Sequence, residues 1–284
     1  MRLSKYVFTL LFLTALFAAH AQEKDTITRV LESKIVFPGM TESGRNVLVL
    51  GIGSARQLDT YLSPEEYKGT EIRIISQSER SLKRHPSWLQ QLTHQGSLQQ
   101  TAPRSEDNQE LSALYAFDYS LRRWWMISPS VALAAGGQAE AGIGFCYNTR
   151  NGNNPAQARA YLNVGPSAAA AWQFPNPLSR VFGWKDKTWL MRYDVSAPLF
   201  GALFSPNYGQ SYYEIFSRGN YDHNIVATTP LCAPSFRHQI VLDIPIWHGT
   251  FQLGYLGDFQ QAKVNNLKYH TYSHLFLIGF IYKK

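Results

Sequence analysis

Two pairs of residues in the second half of the chain have side chains suited to acid–base or metal chemistry: Asp222 with His223, and His270 with His274. His270 and His274 are four residues apart, so on a β-strand they lie on the same side, about two pleats from each other. That spacing could hold a metal ion only with ligands from elsewhere. The chain has no Gly-x-Ser-x-Gly elbow, no His-Glu-x-x-His motif and no cysteine cluster. We therefore expect no catalytic residue, no metal ion and no cofactor. A hydrolase of lipid or peptide with an active site at the rim of the fold is the alternative.

Tyrosines crowd one long connection, residues 205–234. A tyrosine ring is broad and has a hydrogen-bonding tip, so such a loop suits the recognition of sugars or protein surfaces. The alternative is a lid whose tyrosines pack among themselves. The ligand-binding residues predicted here are Tyr208, Gln210, Tyr212, Tyr213, Glu214 and Asp222.

Apolar and polar residues alternate strictly in several segments, most clearly in residues 111–122 and again in 189–199 and 236–246. A period of two is typical of a β-strand with one face in an apolar medium and the other in a polar one. Charges recur on the polar side. An outer-membrane barrel turns the apolar side to lipid and the charged side to its lumen, whereas a soluble β-barrel or sandwich is the alternative.

The connections between these segments alternate in length, which favours the membrane barrel. We predict an all-β, transmembrane, antiparallel β-barrel of outer-membrane type over residues 47–284, with about ten strands and between eight and twelve allowed. The predicted strands are 47–56, 67–79, 88–100, 110–122, 126–147, 156–174, 188–204, 235–247, 250–261 and 267–282. The predicted long connections are 57–66, 101–109, 148–155, 205–234 and 262–266, the short ones are 80–87, 123–125 and 248–249, and 175–187 is long where a short one is expected.

The polar side of the strands predicts a charged lumen. A barrel of about ten strands is narrow, and opposite charges inside it would offset one another's cost of burial. We expect a plugged lumen held by ion pairs, with a small-solute channel as the alternative. The predicted network consists of Glu71, Arg73, Asp118, Arg122, Arg159, Arg192, Asp194, Arg237, Asp243 and Asp258.

The first residues have the organisation of a cleaved secretion signal. Arg2 and Lys5 precede an apolar stretch, and Ala19, His20 and Ala21 fit a signal-peptidase site. Residues 1–21 are therefore the predicted signal peptide and residues 22–46 a periplasmic lead. Removing the signal lowers the formal net charge from +7 to +5. The basic residues are dispersed, so we expect no nucleic-acid partner.

The chain has two cysteines, Cys146 and Cys232. An oxidising compartment would permit a disulfide between them, but their separation in sequence leaves their pairing open.

Four segments carry a resemblance to a known family: residues 58–69 (LDTYLSPEEYKG), 151–163 (NGNNPAQARAYLN), 204–222 (FSPNYGQSYYEIFSRGNYD) and 254–280 (GYLGDFQQAKVNNLKYHTYSHLFLIGF). The chain resembles the Bacteroidetes envelope family catalogued as domain of unknown function 3316. The resemblance implies a Gram-negative envelope protein that forms a barrel in the outer membrane. It implies no activity and assigns no functional residue.

We therefore expect a non-enzymatic protein of the Gram-negative outer membrane with a structural or surface-binding role. Its expected partners are outer-membrane lipid, the barrel-insertion machinery, and an extracellular glycan or protein. The insertion signal is the aromatic alternation of the last strand, Phe276, Ile278, Phe280 and Tyr282, which is followed by two lysines.

Overall fold

Polar residues face inward and apolar residues outward along the long strands. The structure is a computed structural model that describes residues 44–152, 154–177, 188–221, 223–246 and 249–282. In strand β4 (Glu110–Ser128), Asp118 and Ser120 are buried, whereas Leu111 and Tyr115 are 42% and 47% exposed. This is the reverse of a β-sandwich in water, where the apolar face is the hidden one.

The described residues contain twelve strands and one short helix. No helix among them is long and apolar enough to cross a membrane. Beside β4, the elements are β1 Arg45–Asp59, β2 Tyr67–Leu82, β3 His85–Ala102, β5 Val131–Asn148, β6 Ala156–Pro175, β7 Thr188–Ser196, β8 Phe200–Phe204, α1 Tyr212–Phe216, β9 Ile225–Thr228, β10 Phe236–Ile246, β11 Gly249–Val264 and β12 Leu267–Tyr282.

Ten strands close into an antiparallel barrel. The circuit runs β1-β2-β3-β4-β5-β6-β7-β10-β11-β12, and β12 pairs with β1. The short strands β8 and β9 extend the wall above β7: β8 pairs with β6, and β9 pairs with β8. The prediction of an all-β antiparallel barrel of about ten strands, of outer-membrane type, is confirmed. The predicted signal peptide and nearly all of the predicted lead lie outside the described residues, and β1 begins at Arg45.

The register between neighbouring strands fixes the width of the barrel. Stepping from partner to partner once round the circuit, a path that leaves β2 at Ser81 returns to β2 at Gly69, twelve residues away. Ten strands with that stagger tilt by roughly 40° and enclose a backbone radius of about 10 Å. Side chains from opposite walls can therefore meet in the lumen.

The two ends of the barrel differ. At the turn end, the two-residue connections 83–84 and 129–130 join neighbouring strands. At the loop end lie the seven-residue connections 60–66, 103–109 and 149–155. The loop end also carries the long connection from β8 to β9, which contains α1. The loop-end residues discussed below lie in these connections or at the strand ends next to them.

Two predicted connections are wrong. Residues 123–125 do not turn, because β4 continues to Ser128 with Trp124 buried inside the barrel. The predicted long connection 262–266 is the two-residue turn Asn265-Asn266, and both residues have positive φ. A tight hairpin turn of type I′ needs that conformation, which asparagine tolerates.

Aromatic side chains form a band on the outer surface near the turn end. The Arg123 guanidinium lies 5.6 Å from the centre of the Trp125 ring, and Phe174 packs between Trp172 and Trp189. Such rings are typical of the interface between hydrocarbon and lipid headgroups. The lumen near the same end is partly apolar. Its clusters consist of Leu89, Trp124, Ala132, Ala134, Ala169, Ala171 and Leu190, and of Val47, Val49, Ile75, Val241, Leu256, Leu275 and Leu277.

The outward face can be tested by placing a charge on it. Ile74 on β2 is 57% exposed on the apolar face. In phospholipid vesicles, Ile74→Arg should lower the free energy of unfolding by about 2–4 kcal/mol, because an arginine would then lie within hydrocarbon. Gln100→Arg, at the loop end of β3, should lower it by less than about 1 kcal/mol. Guanidinium titration followed by tryptophan fluorescence measures both. Equal stability of Ile74→Arg and the unsubstituted protein would show that this face contacts water.

Candidate functional site

The ten charged residues predicted for the lumen all lie on inward-facing positions, and each contacts an oppositely charged side chain inside the barrel. The contacts fall into three layers along the barrel axis. We call them the turn-end, middle and loop-end layers.

The turn-end layer is centred on Glu79 of β2. Its carboxylate accepts hydrogen bonds from both Nη atoms of Arg192 at 2.6 and 2.7 Å. Arg45 bridges Glu79 at 3.4 Å and Asp243 at 2.6 Å. Because β2 and β7 lie on opposite sides of the circuit, the Arg192–Glu79 pair crosses the lumen. The members of the layer are Arg45, Glu79, Arg122, Arg192, Asp194 and Asp243.

The middle layer is centred on Arg237 of β10. Its guanidinium lies 3.2 Å from Asp118 of β4 and 2.9 Å from Glu140 of β5, and it also contacts Asp258 at 3.2 Å. Arg73 of β2 reaches the same Asp258 oxygen at 2.6 Å. One connected group of side chains therefore joins five strands. Its members are Glu71, Arg73, Asp118, Glu140, Arg237 and Asp258.

The loop-end layer contains a third pair that crosses the lumen. Arg159 of β6 lies 2.7 Å from Asp59 of β1, and these strands face each other across the circuit. Beside this pair, the Glu110 carboxylate accepts hydrogen bonds from Gln57 at 2.7 Å and from Asn148 at 3.0 Å. Hydrogen bonds of this kind offset the cost of burying the carboxylate.

The sequence interpretation missed five charged members of these layers. Arg45 and Asp59 lay outside the predicted strands, and Glu79 and Glu110 were at their ends. Glu140 alone was within a predicted strand, and its alternation with Gln138 was the signal that could have identified it. With these residues, the three layers hold nine carboxylates and six guanidiniums. The predicted network has five acidic and five basic residues, whereas the layers formed by the described residues hold more acidic than basic groups.

Residues 205–224, which we call the lid, are bonded to two loop-end connections and to strand β6. The Tyr61 hydroxyl in the 60–66 connection donates to the Gln210 carbonyl at 3.1 Å. On β6, the Ala158 amide donates to the Tyr212 hydroxyl at 2.7 Å. The Asn265 side chain, in the β11–β12 turn, donates to the Ser205 carbonyl at 3.0 Å. Since β6 and β1 are on opposite walls, the lid crosses the mouth of the barrel.

The helix α1 is fixed at its first turn. Ser211 is the N-cap: its hydroxyl accepts from the Glu214 amide, and the Glu214 carboxylate accepts from the Ser211 amide at 2.7 Å. These donors hold the pKa of Glu214 below its usual range. Burial raises the pKa of Tyr212 to about 12, so its hydroxyl stays protonated and donates to Gln157 at 2.9 Å. Glu214 is therefore bonded within the lid, and Tyr212 is bonded to β6 beneath it.

The predicted loop-binding residues divide into two groups. Gln210, Tyr212 and Glu214 make the internal contacts of the lid, and Gln210 is only 8% exposed. Tyr208 and Tyr213 are 74% and 62% exposed. Asp222 lies outside the described residues. The exposed tyrosines of the predicted set are therefore Tyr208 and Tyr213.

A cleft with a volume of about 60 Å³ opens in the barrel wall beside the middle layer. β10 pairs with β11 only from Phe236 towards the turn end, while β9 pairs with β8. The intervening residues 229–235 contact β11 through single hydrogen bonds, such as that from the Lys263 amide to the Cys232 carbonyl at 2.7 Å. The interrupted ladder leaves the cleft between apolar Pro198 and Phe236 on its rim and Glu140 and Arg237 on its floor.

Two of the histidines considered for chemistry, His270 and His274, contact aromatic side chains. His270 stacks on Tyr272 with ring centres 4.5 Å apart. His274 shares a hydrogen bond of 2.5 Å with the Tyr255 hydroxyl on the outer face. His223 lies in the lid. Within the described ranges, no group of three or more His, Cys, Asp or Glu side chains is arranged to hold a metal ion.

Cys146 and Cys232 are not bonded to each other. Cys146 is buried in the lumen, where the Gln57 amide lies 2.8 Å from its sulfur. Cys232 contacts the Thr229 carbonyl in the connection between β9 and β10.

A family model described as "Protein of unknown function (DUF3316)" matches residues 8–283. The chain belongs to this family. The match spans the barrel, the lid and the cleft, so the layers described above are features of a DUF3316 barrel. No curated protein matches the chain.

Solved structures with a similar fold are outer-membrane barrels. The transport unit of the autotransporter AIDA-I from Escherichia coli is 7% identical, with a TM-score of 0.45 and coverage of 86% of this chain and 91% of that one. The outer membrane protease OmpT from Escherichia coli is 9% identical, with a TM-score of 0.45 and coverage of 86% and 98%. The translocator domain of NalP from Neisseria meningitidis is 10% identical, with a TM-score of 0.39 and coverage of 94% and 97%. At this low sequence identity, the similarity to these structures assigns no activity to the DUF3316 barrel.

The ion pairs of the turn-end layer predict how the removal of Glu79 changes the free energy of unfolding. Glu79→Ala should lower the free energy of unfolding by about 3–5 kcal/mol, because it leaves Arg192 and Arg45 buried without their shared carboxylate. The neighbouring Arg80→Ala, on the outer face, should change it by less than about 1 kcal/mol. Urea titration of the refolded protein measures both. A double variant Glu79→Ala/Arg192→Met should recover part of the loss, and a loss equal to the sum of the two single variants would show that the pair is not coupled.

Proposed function

We propose that this protein is a closed, non-enzymatic barrel of the Gram-negative outer membrane whose loop end faces the outside and displays a recognition surface. The outward apolar face, the aromatic band and the predicted secretion signal support the location. Short turns on the periplasmic side and long loops outside are the usual asymmetry of such barrels, which supports the orientation.

The observation that carries the proposal is that an ion pair between an arginine and a carboxylate crosses the lumen in each of the three layers. Arg192 meets Glu79, Arg237 meets Asp118, and Arg159 meets Asp59. Each pair joins walls that are not neighbours in the sheet. An open channel would need width free of such contacts, and the lid covers the same axis at the loop end. A plugged lumen therefore fits the contacts better than a solute channel does.

The rim-hydrolase alternative has less support. Two of the histidines proposed for it, His270 and His274, contact Tyr272 and Tyr255 on the outer face, and His270 also lies 3.4 Å from Glu66. The surface-binding role is supported by the exposed tyrosines of the lid, because a tyrosine ring can stack on a sugar or protein surface while its hydroxyl forms a hydrogen bond.

Conductance tests the closed state. The full-length protein, refolded and inserted in planar bilayers, should give no steady open current. The variant R159S/R192S/R237S should give steady currents if it folds, because it removes the side chain that crosses the lumen in each layer. Heat-modifiable migration on a gel checks that the variant is folded. Large steady currents from the unsubstituted protein would overturn the plugged barrel whether or not the variant folds.

The lid tyrosines test the recognition surface. Tyr213→Ala should weaken binding to an immobilised glycan array by at least tenfold and leave proteolysis of the lid unchanged, since its ring is exposed. Tyr212→Ala should instead speed proteolysis of residues 205–224, since it removes the contacts with Gln157 and Ala158. If the unsubstituted barrel binds no glycan on the array, or if Tyr213→Ala binds as well as it does, the glycan-binding role fails.

A further inference from the structure

Four exposed cations stand together on the outward face at the loop end: Arg56, Lys68, Lys263 and Lys268, which we call the rim cations. They lie on β1, β2, β11 and β12, which are consecutive strands of the circuit. Three strand spacings and a stagger of four residues separate Lys68 from Lys263, because the partner of Arg56 on β12 is Tyr272 rather than Lys268. The group is therefore roughly 20 Å across.

The rim cations are arranged as like-charge pairs. Arg56 of β1 is the direct cross-strand partner of Lys68 of β2. Lys263 of β11 is the direct partner of Lys268 of β12. Like charges placed directly opposite each other destabilise a sheet. Two such pairs on adjacent strands indicate that an anion from outside the chain compensates them.

The protein supplies little compensation itself. Glu66 lies 3.5 Å from Lys68 and 3.4 Å from His270, and Glu65 is exposed in the same connection. Within the part of the chain that the structure describes, no carboxylate forms an ion pair with Arg56, Lys263 or Lys268. The patch therefore keeps a net positive charge.

The outward strand positions at the loop ends of β3 to β6 carry no cation. The exposed arginines of this side lie in the connections: Arg150 is paired with Asp107, and Arg104 lies in the 103–109 connection. The series of cross-strand partners Gln100, Leu111, Tyr147 and Ala156 occupies the outward positions at the loop ends of β3, β4, β5 and β6. These residues are neutral, so the cations at strand positions are concentrated on β1, β2, β11 and β12 rather than on β3 to β6. A uniform belt that only orients a protein in a membrane would not need this asymmetry.

Aromatic rings lie beside and below the cations on the outer face of β11 and β12. Tyr272 is the cross-strand partner of Arg56 and stacks on His270. Phe259 packs against Tyr272 at 5.8 Å and against His274 at 5.3 Å. Cations above aromatic rings on a lipid-facing wall match a ligand that has anionic groups at headgroup depth and apolar chains beneath them.

We propose that the rim cations bind the phosphate groups of a phosphorylated glycolipid in the outer leaflet, whose acyl chains lie along the outer faces of β11, β12, β1 and β2. The ligand is a membrane lipid rather than a free anion, because the four side chains point away from the lumen on a wall that becomes apolar or aromatic two outward positions further towards the turn end. These residues are Ile52, Ile72, Phe259 and Tyr272. The inference rests on the proposed placement in an outer membrane.

Lipid binding by charge-matched variants tests the inference. The probe is bisphosphorylated lipid A in phosphatidylcholine nanodiscs that contain the full-length barrel, with dephosphorylated lipid A as the comparison lipid. R56Q/K68Q and K263Q/K268Q should each weaken binding of the phosphorylated lipid more than tenfold, at about fivefold per removed charge. The control R80Q/K83Q removes two exposed cations at the turn end and should change binding less than twofold. Binding of the dephosphorylated lipid should be the same in all variants.

Several outcomes would overturn the inference. Unchanged binding in both rim variants, or an equal loss in the turn-end control, would remove the site. Displacement of the lipid by millimolar inorganic phosphate would show a free-anion site instead. Heat-modifiable migration verifies folding of each variant. Failure of the unsubstituted protein to insert in nanodiscs would contradict the proposed membrane placement itself, whereas insertion without charge-dependent lipid binding contradicts only this inference.

Discussion

Closure of the sheet is the constraint on which the rest of the structure depends. A wall that faces hydrocarbon must satisfy every backbone N–H and C=O within itself, and an antiparallel circuit of ten strands achieves this. The same closure forces the polar side of each strand into a space about 10 Å in radius. Charged side chains in that space have no bulk water, so each must reach a partner, and the stagger of twelve residues brings the partner from the opposite wall. Arg192 and Glu79, on β7 and β2, show this most directly.

The strands could be predicted from the sequence because the period of two depends on the medium at each face. The alternation in residues 111–122 survives into β4 without change. The alternation is lost at residues 123–125. Arg123 and Trp125 both face outward, and Trp124 faces inward. Neither the polarity nor the size of these residues therefore indicates which face of the strand they occupy. The predicted turn at that point fails for this reason. The break between β7 and β8 was also hidden, because Ala197, Pro198 and Leu199 continue the apolar composition while the register shifts.

The alternation of residues along each strand was enough to predict that the lumen charges face inward. It was not enough to predict which residues they contact. Which carboxylate meets Arg159 depends on the stagger summed over half the circuit, and Asp59 is one hundred residues away in sequence. The lid shows the same limit in a loop. Tyr212 and Tyr213 are neighbours of the same type, yet one is packed over β6 and the other is exposed, because the capped turn of α1 sends successive side chains in different directions.

The unequal numbers of acidic and basic groups inside the barrel have an electrical consequence. Six guanidiniums face nine carboxylates along the axis, and the surplus of acids belongs to the middle and loop-end layers. A low-dielectric wall concentrates the field of these charges within the bore. Any water-filled path that thermal motion or substitution opened there would attract sodium, potassium or protons and repel chloride. The charges of the interior, rather than the loops at its mouth, would thus make such a leak selective for cations.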